Sequence, residues 1–275
     1  MEPRATGFPT MSSTSTIIGH RCITHRASGI RITDPSPIYR EDMPYSAVTP
    51  KQPLLRYMDY AKFEDLFKTH ELYFCRADKF KDPLEGTLSR EGVHGTSASD
   101  IAFNKRAPQE HGSYDAQAAY RKIAKGCTFV NCWHINTVDT QKMWDAYTTS
   151  SDSVLIVSTA ERLQASLKQT VIMSPVKYVS PDTPRADFGE NSLFFYKDSA
   201  FSFEQEFRLL TDLMMLGGSV TPDNPSDFFR RVPVDLSTLV QFIQPHPKAN
   251  DETKRKIAEL VKRHLPNAKG RDESE

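Results

Sequence analysis

The chain has 275 residues, 38% hydrophobic and 25% charged, an ordinary composition for a soluble protein with a buried core. Lysine plus arginine balance aspartate plus glutamate at 35 each, so no overall field draws the chain to a polyanion, and net charge lends nothing to nucleic-acid binding. Cys22, Cys75, Cys127 and Cys132 are too scattered for a disulfide framework or a four-thiolate zinc site, and no apolar run approaches the roughly 20 residues of a membrane helix. A cytoplasmic protein that does not span a membrane is expected.

Residues 1–48 are rich in Ser, Thr, Pro and Arg and show no periodicity, which predicts a disordered tail or a mis-assigned start, with Met11 or Met43 as the true one. Residues 49–268 are expected to form a single α+β domain with a mixed, mostly antiparallel sheet flanked by helices, and 269–275 a disordered C-terminus. PLLRYM reads as a strand, and DYAKFEDLFKTHE as a helix capped by Asp59, with Tyr60, Phe63 and Phe67 at helical spacing. ELYFC is a second strand and leads into the turn RADKFKDPLEG. The Gly- and Ser-rich stretch 87–112 has the length of a functional loop or lid.

A helix is predicted around YDAQAAYRKIAK, then a buried strand at CTFVNCWH, a helix at DTQKMWDAYT and a central strand at SVLIVS. Thr159 caps the helix AERLQASL, and VIMSPVKYV follows as one strand. FEQEFRLLTDL is predicted as a strand from about Gln205, and VPVD and LVQFI as two more. The last helix is capped by Asn250 and carries Ile257, Leu260, Val261 and Leu265 as its apolar stripe.

Three groups of residues bear on chemistry. In FKDPLEG, Asp82 and Glu85 are either two solvated carboxylates at a tight corner or a pair converging on a metal or on hydroxyl groups. In FSFEQEFRLL, an extended chain puts Glu204, Glu206 and Arg208 on one side and Phe203, Phe207 and Leu209 on the other. That polar face is either solvated, with Glu206 paired to Arg208, or a site where Glu206 steadies positive charge or a ribose hydroxyl. In NCWH and MWDAY, Asn131 shares a strand face with Trp133, and Trp133, Trp144 and Tyr147 serve either as core or as a stacking wall. Alternation puts Cys127 opposite Cys132 and His134, which argues against a zinc ion shared by all three.

The order LLRY, LYFCRADKFKDPLEG, CTFVNCWH, MWDAY, VKY and then a lysine followed by SFEQEFRL resembles a widespread bacterial family of unknown function. Its members show an FNDPFE-like turn, a CFS-like strand, an MWxxY helix and a late lysine with ExEYR. Lys81 stands here where asparagine is usual, and NCWH replaces the CFS-like segment. More distantly, the chain resembles ADP-ribosyltransferases, which begin with a strand carrying Arg or His and close with a Gln/Glu-x-Glu turn. That resemblance implies NAD as substrate, Glu206 as the catalytic carboxylate, Glu204 orienting the acceptor and Arg56 helping to hold NAD. It further implies Tyr57, Asn131, Trp133, Tyr147 and Arg208 around the nucleotide, a protein or nucleic-acid acceptor, and a toxin or phage-defence setting. Two alternatives stand beside it. One is a metal-dependent nuclease or phosphoesterase, with Asp82, Glu85 and Glu206 on Mg2+ and Arg208 or Lys197 on a phosphate. The other is a non-catalytic binding or regulatory module.

Overall fold

The computed structural model describes residues 48–80, 82, 86, 123–180, 192–212 and 224–266, all within the unit Arg31–Glu275. The expected tail before Val48, the residues 269–275, Glu85 and the stretch 87–112 lie outside the described residues.

Strand β1 (Pro53–Asp59) leads directly into helix α1 (Tyr60–Thr69), and His70, left-handed at φ 57°, turns the chain into β2 (Glu71–Arg76). Asp59 occupies the N-cap position of α1 but does not bond to the helix. Its Oδ1 instead accepts from the Thr149 N–H at 2.7 Å and the Ser153 hydroxyl at 3.2 Å, so the expected cap ties down the loop before the central strand. After a 3-10 turn at Ala77–Lys79 and a helical segment at 123–127 come β3 (Thr128–Ile135), α2 (Gln141–Tyr147), β4 (Ser153–Thr159) and α3 (Ala160–Ser166). Thr159 caps α3 as expected, its hydroxyl accepting from the Arg162 N–H at 3.2 Å.

The strand expected over VIMSPVKYV is two strands, β5 (Ile172–Pro175) and β6 (Lys177–Val179), which belong to different sheets. The chain divides at Val176, whose N–H donates to the Glu206 carbonyl at 2.8 Å. A 3-10 segment at Ser192–Phe195, β7 (Tyr196–Asp198) and a second 3-10 segment at Ser199–Glu204 bring the chain to β8 (Glu206–Asp212). Strand β9 (Phe229–Pro233) begins earlier than the predicted VPVD, and Asp235 caps a short unpredicted helix, α4 (Leu236–Leu239), between VPVD and LVQFI. The remaining elements are β10 (Phe242–Pro245) and α5 (Asp251–His264), the latter capped by Asn250, which accepts from the Thr253 N–H at 2.8 Å.

The fold is α+β. Eight strands form one sheet in the order β10-β4-β1-β3-β2-β9, with β8 pairing β3 and β5, and its described pairings are antiparallel; β6 and β7 form a separate parallel pair. Alternation along the strands gives the sheet two apolar faces. One packs Leu54, Met58, Phe74 and Phe207 against Phe63 and Phe67 of α1, Leu163 of α3, Leu239 of α4 and Ile257 and Leu260 of α5. On the other, Leu55, Tyr57, Leu155 and Val157 pack on Met143 and Trp144 of α2, while Val130, Ile172 and Leu210 pack on Phe194 and Phe195. Burial of each large side chain is worth about 1.5–3 kcal/mol, so a sheet covered on both faces is a rigid base for a site. No helix among the described residues is long and apolar enough to cross a membrane.

Candidate active site where the sheet divides

Strand β3 pairs with β8 along its whole length, from Thr128↔Asp212 to His134↔Glu206. Its other edge is shared. β1 holds it at Leu54↔Ile135 and Leu55↔His134, and β2 at Cys75↔Val130 and Arg76↔Phe129, so the edge parts at Asn131, Cys132 and Trp133. Backbone groups released from a ladder need other partners. Arg56 of β1 supplies one, donating from Nη1 to the Cys132 carbonyl at 2.5 Å and to Asn131 Oδ1 at 3.0 Å. Asn131 Oδ1 also accepts from Trp133 Nε1 at 2.9 Å, while Asn131 Nδ2 donates to the Tyr73 carbonyl of β2 at 2.8 Å. One buried amide therefore joins three strands where the ladder is interrupted. Burial lowers the Arg56 guanidinium to about 10, which leaves it charged at neutral pH.

The two glutamates reach this place from the other side of β3. Gln205 is left-handed at φ 38°, its N–H donates to the Ser202 carbonyl at 3.3 Å, and its own carbonyl accepts from the Ile135 N–H at 2.8 Å. That reversal puts Glu204 at the end of a 3-10 segment and Glu206 at the start of β8, with both carboxylates converging on one ammonium. Lys197 Nζ of β7 donates to Glu204 Oε2 at 2.5 Å and to Glu206 Oε1 at 2.6 Å. Arg208 donates to Glu206 through Nε at 2.8 Å and Nη2 at 3.1 Å, and its Nη1 donates to the Phe194 carbonyl at 2.5 Å. Of the two readings of this polar face, the solvated one does not hold: Glu206 is paired to Arg208 but only 3% exposed, and Arg208 1%.

Burial alone would raise the Glu206 carboxyl, but the charges of Arg208 and Lys197 hold it well below the usual carboxylate range. Glu204 shifts the other way. Burial and the neighbouring Glu206 raise it, with Lys197 only partly offsetting them. Burial would lower the Lys197 ammonium, yet the two glutamates raise it. Around the pair, the Tyr147 hydroxyl donates to Glu204, and burial and both carboxylates push its own ionisation far up. The Tyr178 hydroxyl accepts from the Glu206 N–H at 2.8 Å. His134 Nδ1 lies 2.6 Å from the Glu204 carbonyl, so that nitrogen carries the proton. Burial lowers the His134 ring, favouring the neutral form with Nε2 accepting from Asn136 Nδ2 at 3.3 Å.

A small pocket of about 30 Å³ opens at the division, and Arg56, Tyr57, Trp133, Tyr147, Glu204 and Glu206 line it together with His134 and Met143. Six of the expected residues thus share one wall. Asn131 and Arg208 stand behind it, their polar groups engaged in holding Arg56 and Glu206. Trp133 is 2% exposed and belongs to the main core, so it packs rather than stacks, whereas Tyr147 remains 36% exposed. Asp82 is not in the lining, and Glu85 lies outside the described residues. Among the described residues, no group of three or more His, Cys, Asp and Glu side chains is placed to hold a metal. Both Glu206 oxygens already accept from Arg208 or Lys197, which leaves little capacity for Mg2+ there.

Residue-type reasoning missed the part played by Lys197, considered only as a phosphate partner, and that of Tyr178. The late lysine of the resembling motif was the one available signal for Lys197. For Tyr178 there was none, because its partner is a backbone N–H 28 residues away. No protein-family model and no curated protein matches the chain. The functional reading therefore rests on this pocket and its chemistry.

Proposed function

We propose that the chain is an ADP-ribosyltransferase-like enzyme that moves ADP-ribose from NAD to a protein or nucleic-acid acceptor. The observation that carries this reading is geometric: Glu204 and Glu206 share the Lys197 ammonium on the wall of one pocket with Arg56 and Tyr147, an arrangement that raises the first carboxyl and lowers the second. Opposed shifts divide labour between neighbouring acids. Glu206, held ionised, faces the ribose as the bond from its C1′ to the nicotinamide nitrogen breaks and the electron pair leaves with nicotinamide. Its negative charge opposes the positive charge growing on the sugar. Glu204 has a proton affinity closer to neutral pH and takes the proton from the acceptor as the acceptor bonds to C1′. Arg56, at the division of the sheet, meets the diphosphate or the nicotinamide amide, and Tyr147 offers a partly exposed ring.

Incubating the full chain with NAD labelled in the adenylate half and with cell lysate tests this. Label transfer and nicotinamide release are expected, with Glu206→Gln losing both by about 100-fold or more, the size of effect expected for one electrostatic group. Glu204→Gln is expected to lose transfer while retaining slow hydrolysis of NAD. Wild-type protein that binds NAD yet neither transfers label nor releases nicotinamide overturns the reading.

A further inference from the structure

The pocket at the division of the sheet, about 30 Å³, is far smaller than sites for whole drug-sized ligands, which occupy roughly 300–1,000 Å³, so most of a bound nucleotide would lie outside it. The sheet face on which it opens continues past Cys132 onto β2 and β9. From the pair Cys75↔Val130, two residues further along the antiparallel register bring Tyr73 abreast of Cys132, and the Asn131 amide ties the Tyr73 carbonyl to β3 across the gap. Residues abreast share a face, so the Tyr73 ring stands on the same side of the sheet as the pocket. Phe229 lies opposite Cys75 and Arg231 opposite Tyr73, which puts both on this face too. The Tyr73 and Phe229 rings stack with centroids 5.0 Å apart and planes inclined by 21°. The Arg231 guanidinium lies 5.7 Å from the Phe229 ring and is fixed by Asp65 at 2.8 and 3.1 Å. Tyr73 is nevertheless 42% exposed, one of two exposed tyrosines among the described residues, the other being Tyr147 in the pocket lining.

We infer that the Tyr73–Phe229 stack seats the adenine ring of the nucleotide whose ribosyl end enters the pocket. This rests on the nucleotide reading above. A flat aromatic pair backed by an immobilised guanidinium binds a purine by its π-face, and the charge of Arg231 is already neutralised by Asp65, so the base rather than a phosphate is the group recognised. The strand alternation puts the stack on the same sheet face as Glu206 and Cys132.

Etheno-AMP, a fluorescent adenine nucleotide without nicotinamide, tests the inference by anisotropy and by quenching on the full chain. Saturable binding with quenching is expected, weakened about tenfold or more in Tyr73→Ala and Tyr73→Leu and retained in Tyr73→Trp. Tyr73→Leu keeps apolar bulk on the sheet, and unchanged thermal midpoints separate loss of the platform from loss of the fold. Glu206→Gln is expected to bind etheno-AMP normally, so failure of the chemistry and failure of the base site are distinguishable. Wild-type protein that does not bind etheno-AMP, or Tyr73→Ala and Tyr73→Leu variants that bind it as well as wild type, overturns the inference. So does Tyr73-dependent binding of a labelled single-stranded oligoadenylate without binding of etheno-AMP, which assigns the stack to nucleic acid.

Discussion

Glu204 and Glu206 stand two positions apart and share a lysine, yet protons act on them with opposite sign. Glu206, held well below the ordinary value of 4.5, contributes stability that is fully present above about that pH and is lost as pH falls through its folded value. Glu204 is raised, so its contribution is present below 4.5 and lost as pH rises through its higher folded value. Glu206→Gln leaves Arg208 and Lys197 without their buried counter-charge and is expected to cost about 3–5 kcal/mol at pH 7. In urea unfolding from pH 7 to pH 3, that gap should narrow below pH 4.5, because the unfolded wild-type chain then takes up a proton on Glu206 that the native state resists. Lys197→Met removes the cation from between the carboxylates. Glu204 should then hold its proton more tightly, moving the basic-form limb of the transfer rate to higher pH, and Lys197→Arg should restore part of the wild-type profile.

At the scale of elements, the corner FKDPLEG has a structural part to play through Gly86. Gly86 has φ +61°, and a Cβ added there meets Phe194 Cε1 at 2.5 Å. Phe194 in turn offers its carbonyl to Arg208, which grips Glu206. A chain of contacts thus runs from the turn after β2 to the carboxylate. Gly86→Ala is expected to cost at least about 1–2 kcal/mol from the left-handed backbone alone, seen as a lower urea midpoint. It should also reduce any Glu206-dependent turnover. The strand break at Val176 serves the same place, since the Val176 N–H takes the Glu206 carbonyl and frees β6 to bring Tyr178 beneath the Glu206 N–H.

The whole molecule depends on one seam, where β1 and β2 part along β3. Asn131 closes it with three hydrogen bonds to Arg56, Trp133 and Tyr73. Asn131→Ala strands the Trp133 N–H and the Tyr73 carbonyl in a buried place, and each orphaned group costs about 1–3 kcal/mol. Denaturant unfolding should therefore show a loss of about 3 kcal/mol or more. Asn131→Asp keeps the acceptor for Arg56 and Trp133 and loses only the bond to Tyr73, so a smaller cost is expected. The proposed nucleotide reaches from the carboxylates to the aromatic stack across this seam, so both variants should weaken nucleotide binding in the order of their stability losses.

Most elements were legible in the sequence because short-range physics decides them. Helical spacing of Phe63 and Phe67, the caps Thr159 and Asn250, and the β-branched and aromatic runs in β3 and β4 each point to one local structure. The division of VIMSPVKYV and the short helix between VPVD and LVQFI were not legible. The division depends on a partner far along the chain, the Glu206 carbonyl for Val176, whereas the helix combines a local cap from Asp235 with packing of Leu236 and Leu239 into the core. Glu204, Glu206, Arg208 and Arg56 could be picked out as residue types in a pattern. Alternation tells which side of a strand a residue takes but nothing about what covers that side. The sequence by itself determined the α+β class, most elements and the polar set; tertiary structure alone decided that two carboxylates, a lysine and two arginines meet in a buried seam, because that requires contacts 75 residues apart between Arg56 and Asn131.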